Sequence, residues 1–367
     1  MTHTPPVADV ETVIARLREA IPAIQARVPD LDARGAFPIE DVALLRDLGA
    51  LKAFGAGRAS AVQLMEALRL VGRANLSLGR IFEGHVNSAR LIAWYGDKDQ
   101  RAALAQALAV GRVHGVWNTE RPPGVAIDRT AAAAGVLRGR KCFATGAGFI
   151  DLAVITAADG EGPRQMVIAD ASDAARADPS SWRVRGMKAT VSGTYELGGL
   201  PAGEPQRLGA PGDYEREPRF SAGAWRFAAV QLGGVERIVG LIRDHLAASA
   251  TGKDATQRAR FAVALAEARS AMMWVREAAV RAESPNAGPD EVAFVLMTRG
   301  VVERAGLAAI EAAARAVGTG AFFDDHPIDQ ACRDLALYLR QPSPDQALDR
   351  AAAGFIERDC WRGDRLW

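Results

Sequence analysis

Apolar side chains recur three and four positions apart over the first third of the chain, from about residue 10 to residue 109. Two capping boxes mark helix starts within this stretch. Ser60 precedes Gln63 by three positions, and Asp97 precedes Gln100 in the same way, each pair just before a new apolar run. This pattern predicts an N-terminal helical domain.

The pattern changes between residues 112 and 212, where short β-prone runs alternate with Gly, Pro and Asp turns. The runs include VHGVW, DLAVITA, QMVIAD and WRVRG. A strand-rich central part is therefore predicted.

Helical spacing returns after residue 218, and the helices are long and rich in alanine. One predicted buried face comprises Phe227, Val230, Gly234, Ile238, Leu241 and His245, and a later one comprises Phe294, Met297, Val301, Ala305 and Ala308. The sequence thus predicts an α+β protein in three parts: helical residues 1–111, strand-rich residues 112–215 and a helical bundle over residues 216–367.

Charge and cysteine content exclude several classes of function. The chain has 45 basic and 44 acidic side chains, which argues against nucleic acid or an anionic membrane as its main partner. Cys142, Cys332 and Cys360 are far apart and match no metal-ligand spacing, so neither a disulfide nor a metal site is predicted. The first residues lack a basic-then-apolar signal, and no apolar run approaches the roughly 18 residues of a membrane span. A cytoplasmic location is expected.

Isolated polar residues give little further chemistry. His85 lies on a mostly apolar predicted helix and His114 opens a predicted strand, and the simpler interpretation for each is a hydrogen-bonded core histidine. No nucleophile elbow, Walker loop or dinucleotide-binding glycine motif is present, so the hydrolase, NTPase and Rossmann interpretations lack support.

Several stretches, in order along the chain, resemble those of the acyl-CoA dehydrogenase superfamily. They are GRIFEGHVNSARLIAWYGDKDQR, GVWNTE, KCFATGAGFIDLAVITA, GMKATVSGTYELGGLP, and AVGTGAF followed by HPIDQACRDL. The resemblance implies an N-terminal helical domain, a central β-barrel-like domain and a C-terminal four-helix bundle. It also implies FAD, a small-molecule substrate such as an acyl-CoA, a homodimer or homotetramer, and an electron-transfer flavoprotein or flavin reductase as partner.

The same resemblance assigns residues to the cofactor. Thr119 and Thr145 would donate hydrogen bonds to the flavin ring and Phe143 would stand against it, while Trp117 either lines the pocket or belongs to the core. The glycine-rich turn would let backbone approach the diphosphate or adenine end, from a second subunit; it consists of Gly318, Thr319 and Gly320.

Two cofactor segments depart from the family pattern. The loop after GVWNTE contains Pro122 and Pro123, which lack amide donors. The segment that would hold the adenosine half across a dimer reads ASATGKDATQR, where Lys253 or Arg258 would substitute electrostatically.

The position of the catalytic carboxylate departs as well. Removal of an α-proton from an acyl thioester needs a carboxylate with a raised pKa. Where most relatives have that Glu, this chain has Pro342, and the alternative position on the first long C-terminal helix falls at Gly223. The nearest substitutes are more simply read as solvated helix-end charges; they are Glu215, Glu217, Asp345 and Asp349.

Three hypotheses stay open at this point: a flavin-dependent acyl-CoA dehydrogenase-like oxidoreductase, a flavin monooxygenase of the same fold that needs no α-proton base, and a non-catalytic member of the superfamily.

Overall fold

The computed structural model describes residues 9–358, so Cys360 lies outside the described chain. The N-terminal third is helical, as predicted. Its helices are α1 (Val10–Arg34), α2 (Ile39–Asp47), α3 (Ala50–Gly55), α4 (Ala61–Ala74), α5 (Leu76–Tyr95) and α6 (Lys98–Ala109). Both predicted capping boxes are confirmed, at the start of α4 and of α6.

The central third consists of short strands. They are β1 (His114–Trp117), β2 (Ala126–Asp128), β3 (Val136–Arg138), β4 (Arg140–Lys141), β5 (Leu152–Ala157), β6 (Gln165–Asp170), β7 (Ala177–Asp178), β8 (Thr194–Glu196) and β9 (Arg207–Leu208). One sheet has the order β1-β5-β6-β9, with β1 parallel to β5 and the other pairs antiparallel. The remaining strands form the pair β2-β3 and the sheet β4-β8-β7.

The barrel-like expectation is met only in part, because the described strands form three separate sheets and no closed barrel. Strands of two to six residues offer few ladder hydrogen bonds, and β1 and β9 remain edges of the largest sheet. β1 packs against α5, which covers this part of the sheet with a helix.

The C-terminal part is helical. Its helices are α7 (Arg219–Ala222), α8 (Trp225–Ala248), α9 (Ala255–Ala282), α10 (Pro289–Val317), α11 (Pro327–Tyr338) and α12 (Pro344–Glu357). Helices α8, α9 and α10 pack against one another, α11 packs on α8, and α12 packs on α10. Among residues 9–358, no helix combines the length and apolar character needed to cross a bilayer.

Glycines bring α4 and α8 into close contact. A Cβ added to Gly72 of α4 would lie 2.3 Å from the carbonyl oxygen of Val230, and one added to Gly233 of α8 would lie 2.2 Å from that of Arg69. Backbone therefore meets backbone at this crossing, and one continuous apolar core runs through the N-terminal helices, the sheets and the C-terminal helices.

Candidate functional site

Unfavourable backbone conformations mark three segments of the chain. The non-glycine residues with positive φ in the described chain are Phe143 (52°), Met187 (55°), Val191 (44°) and Ser343 (43°). A side chain in this region costs free energy, most of all a β-branched one, and such residues concentrate at functional sites. The first three lie in two stretches that carry the family resemblance, and the fourth directly follows Pro342.

Phe143 presents an aromatic surface to solvent. Its side chain is 51% exposed, and its ring meets that of Trp182 edge to face, with 6.0 Å between centroids. The indole of Trp182 is itself fixed, because its Nε1 donates to the carbonyl oxygen of Met187 at 3.1 Å. A large apolar ring left half in water is available to a planar ligand.

A row of hydroxyl groups ends at the same Met187 carbonyl that fixes Trp182. Thr145 Oγ1 is 3.0 Å from Ser192 Oγ, which donates to Thr190 Oγ1 at 2.8 Å, and Thr190 in turn donates to the Met187 carbonyl at 2.8 Å. The Met187 amide donates to the carboxylate of Asp334 on α11 at 2.5 Å. Burial raises the pKa of Asp334 to about 7, with the Met187 amide acting in the opposite direction.

Trp117 supports this group from inside. Its side chain is 1% exposed, and its Nε1 donates to the carbonyl oxygen of Thr145 at 3.0 Å. Its ring lies 5.0 Å from that of Tyr195, in the core. Of the two interpretations for Trp117, the structure thus favours a core position that fixes Thr145.

Thr119 is exposed on the turn after β1, next to the same group. Its carbonyl accepts from the Cys142 amide at 2.9 Å, which places it beside Phe143. Lys141 braces this turn: its fully buried Nζ donates to the carbonyl of Asn118 at 3.0 Å and to the carboxylate of Glu120 at 2.6 Å. Burial lowers the pKa of Lys141 to about 8, against the opposing effect of Glu120.

The glycine-rich turn stands apart from this group. Gly318 ends α10 with a φ of 71°, which favours glycine, and Gly318 and Thr319 are exposed. A Cβ on Gly318 would meet nothing within 4 Å, so this chain makes no close approach there. Gly320 lies in the same short 3-10 turn, which packs on α10 and α11. In the described chain, no hydrogen bond joins this turn to Phe143 or Thr145.

The loop between α11 and α12 carries Pro342 at the position where the family resemblance would place a carboxylate. Pro342 is exposed, and its carbonyl accepts from Arg299, a buried arginine whose guanidinium carbon lies 5.0 Å from the ring centre of Phe227. Asp345 and Asp349 are exposed on α12.

The carboxylates before α8 do not replace the missing catalytic carboxylate either. Glu215 is exposed, and Glu217 accepts from the Ser221 amide at 3.0 Å and from Arg350 at 3.2 Å. At Gly223 an added Cβ would lie 2.5 Å from Nη2 of Arg226, so an arginine occupies the space beside this position.

Helix α5 carries a stripe of partly buried polar and aromatic side chains around the buried Glu83, which we call the α5 seam. Its residues share one helix face at offsets of three and four: Arg80, Glu83, Asn87, Arg90 and Trp94. Glu83 is 2% exposed and accepts from both Arg80 and Asn87. Buried polar groups at these positions must be mutually satisfied, so the seam is a built network.

The seam continues into α8 and α9. Asn87 accepts from Arg226 Nε at 2.5 Å, and Glu283 accepts from Arg226 at 3.1 Å, from Trp225 Nε1 at 3.2 Å and from Arg90. Burial lowers the pKa of Arg226 to about 10, and the neighbouring Arg90 acts in the same direction. Burial alone would raise the pKa of Glu283, but Arg226 and Arg90 together hold it below its usual value.

Near the other end of the seam, one hydroxyl group lacks a hydrogen-bond partner within residues 9–358. Tyr338 of α11 is 2% exposed, and its hydroxyl is unsatisfied within the described chain. Burial raises the pKa of Tyr338 far above its ordinary value, and the nearby charge of Glu83 acts in the same direction while Arg80 opposes it. An unsatisfied buried hydroxyl beside a buried ion pair is a position where a water or a ligand group can bind.

The seam opens into a cleft of about 450 Å³. Its walls come from the end of α5, from α7 with the start of α8, and from the turn between α9 and α10. Charged and aromatic lining residues are Trp94, Arg216, Glu217, Arg219, Arg226 and Glu283. This volume lies within the range of about 300–1,000 Å³ that is typical of small-molecule sites.

Sequence reasoning missed the α5 seam. The stretch from Gly79 to Arg101 carries the family resemblance, His85 and the capping box of Asp97, and its polar residues also recur at helical spacing on a mostly apolar predicted helix. Polar residues that recur three and four positions apart on the apolar side of a helix are the signal that identifies such a network.

No protein-family profile matches the sequence, and no curated protein matches it. Solved structures share its fold along nearly the whole chain. FMN-bound TdsC from Paenibacillus sp. A11-2, a dibenzothiophene monooxygenase, has a TM-score of 0.82 at 17% identity and covers 94% of this chain and 97% of its own. A nitrososynthase from Micromonospora carbonacea var. africana has a TM-score of 0.81 at 18% identity, with 96% and 97% covered. Glutaryl-coenzyme A dehydrogenase, in its glutaryl-CoA complex, has a TM-score of 0.81 at 16% identity, with 97% of each chain covered.

The similarity establishes the fold: the chain has the fold of acyl-CoA dehydrogenase-like flavin enzymes, as its motifs predict. At these identities it assigns neither the reaction nor the substrate.

Proposed function

We propose that this protein is a flavin-dependent oxidoreductase that works as a monooxygenase on a small organic substrate. The observation that carries the proposal is the loop at Pro342, whose backbone is held by Arg299 and which offers no carboxylate to abstract a proton. An oxygenating reaction with reduced flavin and O₂ requires no such base. Two of the enzymes that share the fold, the dibenzothiophene monooxygenase and the nitrososynthase, support this class by analogy.

The residues around Phe143 fit a flavin ring. The half-exposed phenyl of Phe143 and the indole of Trp182 offer an aromatic wall. Thr145 lies two residues after Phe143, and the exposed Thr119 is joined to the neighbouring Cys142 by a backbone hydrogen bond, so both threonines are candidates for hydrogen bonds to the ring. When bound, the flavin supplies the two-electron redox chemistry. In this proposal Trp117 fixes Thr145 from the core, and Lys141 holds the turn of Thr119.

FMN is the form of flavin that this chain suits better, although the family resemblance predicts FAD. FAD needs a holder for its adenosine half, and the segment that would supply it carries Lys253 and Arg258. Arg258 donates to the carbonyl oxygen of Lys253, so its guanidinium is partly engaged by its own loop. FMN requires no such segment, and TdsC binds FMN.

A homo-oligomer in the cytoplasm is part of the proposal. Phe322 and Phe323, which follow the glycine-rich turn, are 69% and 59% exposed and give that turn an apolar surface for a second subunit. Light scattering after gel filtration tests this assembly, and a monomer at micromolar concentration would contradict it.

Acyl-CoA dehydrogenation is the second candidate, because glutaryl-coenzyme A dehydrogenase shares the fold and Glu83 places a buried carboxylate on the α5 seam. Both oxygens of Glu83 are engaged, by Arg80 and by Asn87, which leaves neither oxygen facing a substrate proton without loss of one of these bonds.

One set of spectra separates these functions. The purified protein is titrated with FMN and with FAD, and the loaded protein is mixed anaerobically with acyl-CoAs of several chain lengths. A monooxygenase takes up FMN, keeps its flavin oxidised with every acyl-CoA, and, after chemical reduction and exposure to O₂, adds one oxygen atom to at least one aromatic test compound, the panel comprising the neutral indole and dibenzothiophene and a carboxylate derivative of each.

Bleaching of the flavin by any acyl-CoA would instead establish the dehydrogenase. Failure to take up either flavin would favour the non-catalytic hypothesis.

A further inference from the structure

The cleft at the end of the α5 seam has a surplus of positive charge. Of the charged residues in its wall, three are arginines and two are glutamates. Glu283 is shared by Arg226 and Arg90, so two cations use one carboxylate. Glu217 is bonded by Arg350. Both acidic groups of the wall are thus already compensated.

Arg219 provides the uncompensated charge. Its guanidinium carbon lies 5.1 Å from the ring centre of Trp94 and 5.4 Å from that of Tyr95. Within residues 9–358, no carboxylate lies at ion-pair distance from it, whereas Arg216 in the same wall is paired with Asp213. The two rings hold the guanidinium at the cleft by cation–π contact and leave its N–H edges available to a ligand.

Arg226 presents a second guanidinium that is fixed in advance. It is 5% exposed, and its orientation is set by Asn87 and Glu283. Gly223 makes room for it, since a Cβ there would overlap Nη2 of Arg226 at 2.5 Å. A ligand oxyanion would therefore meet a rigid group and order few side chains on binding.

The rest of the wall is small and apolar. It consists of Pro218, Ala222, Gly223, Ala282, Pro285 and Ala287, around a volume of about 450 Å³. Such a wall suits a compact ligand with an apolar body and one charged end.

We propose that this cleft binds the substrate through an anionic group, a carboxylate or a phosphate, held by Arg219 beside Arg226, with the apolar body of the substrate along the alanine and proline wall. This inference rests on the proposed function in one respect: it identifies the molecule bound in the cleft as the substrate.

Binding calorimetry on the full-length protein tests the cleft, with and without added FMN. The probes are benzoate, phenyl phosphate and the neutral benzamide, which matches benzoate in shape. At least one anion should bind tenfold or more tightly than benzamide, since a charge-assisted hydrogen bond is about twice as strong as a neutral one. The two anions distinguish a carboxylate site from a phosphate site. Arg219→Gln should abolish most of this preference, and Arg219→Lys, which keeps the charge, should restore part of it.

Arg243→Gln is the matched control, because Arg243 is exposed further along α8 and is paired with its neighbour Asp244. It should leave all three affinities unchanged. The inference is overturned if neither anion binds at millimolar concentration, if benzamide binds as tightly as both anions, or if Arg219→Gln keeps the preference.

The two proposals fail in different ways. Anion preference without flavin uptake would remove the proposed function and leave the cleft as an anion site, whereas flavin uptake without anion preference would remove the cleft proposal alone.

Discussion

The contact between α4 and α8 allows a prediction with opposite signs at two glycines of one helix. A methyl group at Gly233 would lie 2.2 Å from the Arg69 carbonyl oxygen and 2.5 Å from the Arg73 amide nitrogen. Both atoms belong to the backbone of α4, which cannot turn aside as a side chain can. Because ordinary van der Waals contact begins at 3.4 Å, α8 must move away from α4 by on the order of 1 Å.

The magnitude follows from two opposing effects. Alanine in place of glycine inside a helix is favourable by about 1 kcal/mol. Overpacking of a close-packed core typically costs about 1–3 kcal/mol, and a clash with rigid backbone lies at or above the upper end of that range. Gly233→Ala should therefore lower the free energy of unfolding by about 2 kcal/mol.

Gly240→Ala is the matched control on the same helix. A Cβ at Gly240 would meet nothing within 4 Å, so only the helix-forming effect remains, and the variant should be stabilised by up to about 1 kcal/mol. Urea unfolding followed by circular dichroism at 222 nm measures both variants against the parent protein. Equal shifts in the same direction would refute the reasoning, because they would show that α8 does not rest on the backbone of α4.

Three further predictions concern the flavin group and the core. Phe143→Ala should weaken FMN binding about tenfold, the effect expected of a lost stacking contact of about 1.4 kcal/mol. It should leave stability unchanged, since the ring is 51% exposed. Phe149→Ala, which removes a 47% exposed ring of the same loop, is the control, and equal FMN affinities of the two variants would contradict the assignment. Lys141→Met should also weaken FMN binding while the fold persists in circular dichroism, because the turn after β1 loses its buried brace; unchanged FMN affinity would show that the brace is purely structural. Burial lowers the pKa of His85 to about 4 and of His114 to about 3, so the folded chain binds fewer protons than the unfolded chain below pH 6.5, and stability that is intact above that pH is lost as the pH falls. The two residues together should cost about 4 kcal/mol between pH 7 and pH 5, and Asp334, whose pKa burial raises to about 7, offsets part of this loss because its effect has the opposite sign. Urea titrations at both pH values should therefore show a loss about 2 kcal/mol smaller in His114→Gln than in the parent protein, and an equal loss in that variant would refute the assignment.

The helices were predictable from the sequence because their signals are local. Ser60 and Asp97 cap their helices through side chains three residues away, and the structure contains both boxes. The predicted face of α10 was less accurate: Phe294 and Ala305 are buried, but Val301 is only partly so. Tight packing against α8, α9 and α12 shifts the buried side of that helix, which periodicity alone does not reveal.

The candidate site could be predicted only where a family motif supplies residues that are exposed in the structure. Trp117 and Thr145 are joined by a hydrogen bond although β1 and β4 belong to different sheets, and the part that Phe143 and Thr145 play at a flavin stays a prediction of the resemblance. The cleft could not be predicted, since Arg226 and Glu283 are far apart in sequence and meet only when α8 and α9 pack. Long-range ion pairs leave no periodic signal.

The backbone contact of α4 with α8 also bears on any attempt to divide the protein. Gly72 lies in the N-terminal helical part and Gly233 in the C-terminal helical part, yet each supplies the surface on which the other's helix rests. A fragment that ended before α8 would expose bare peptide groups and the apolar flank of α4 to water, with nothing to cover them. Truncated versions should therefore aggregate, and cofactor and substrate binding can be studied only in the undivided polypeptide.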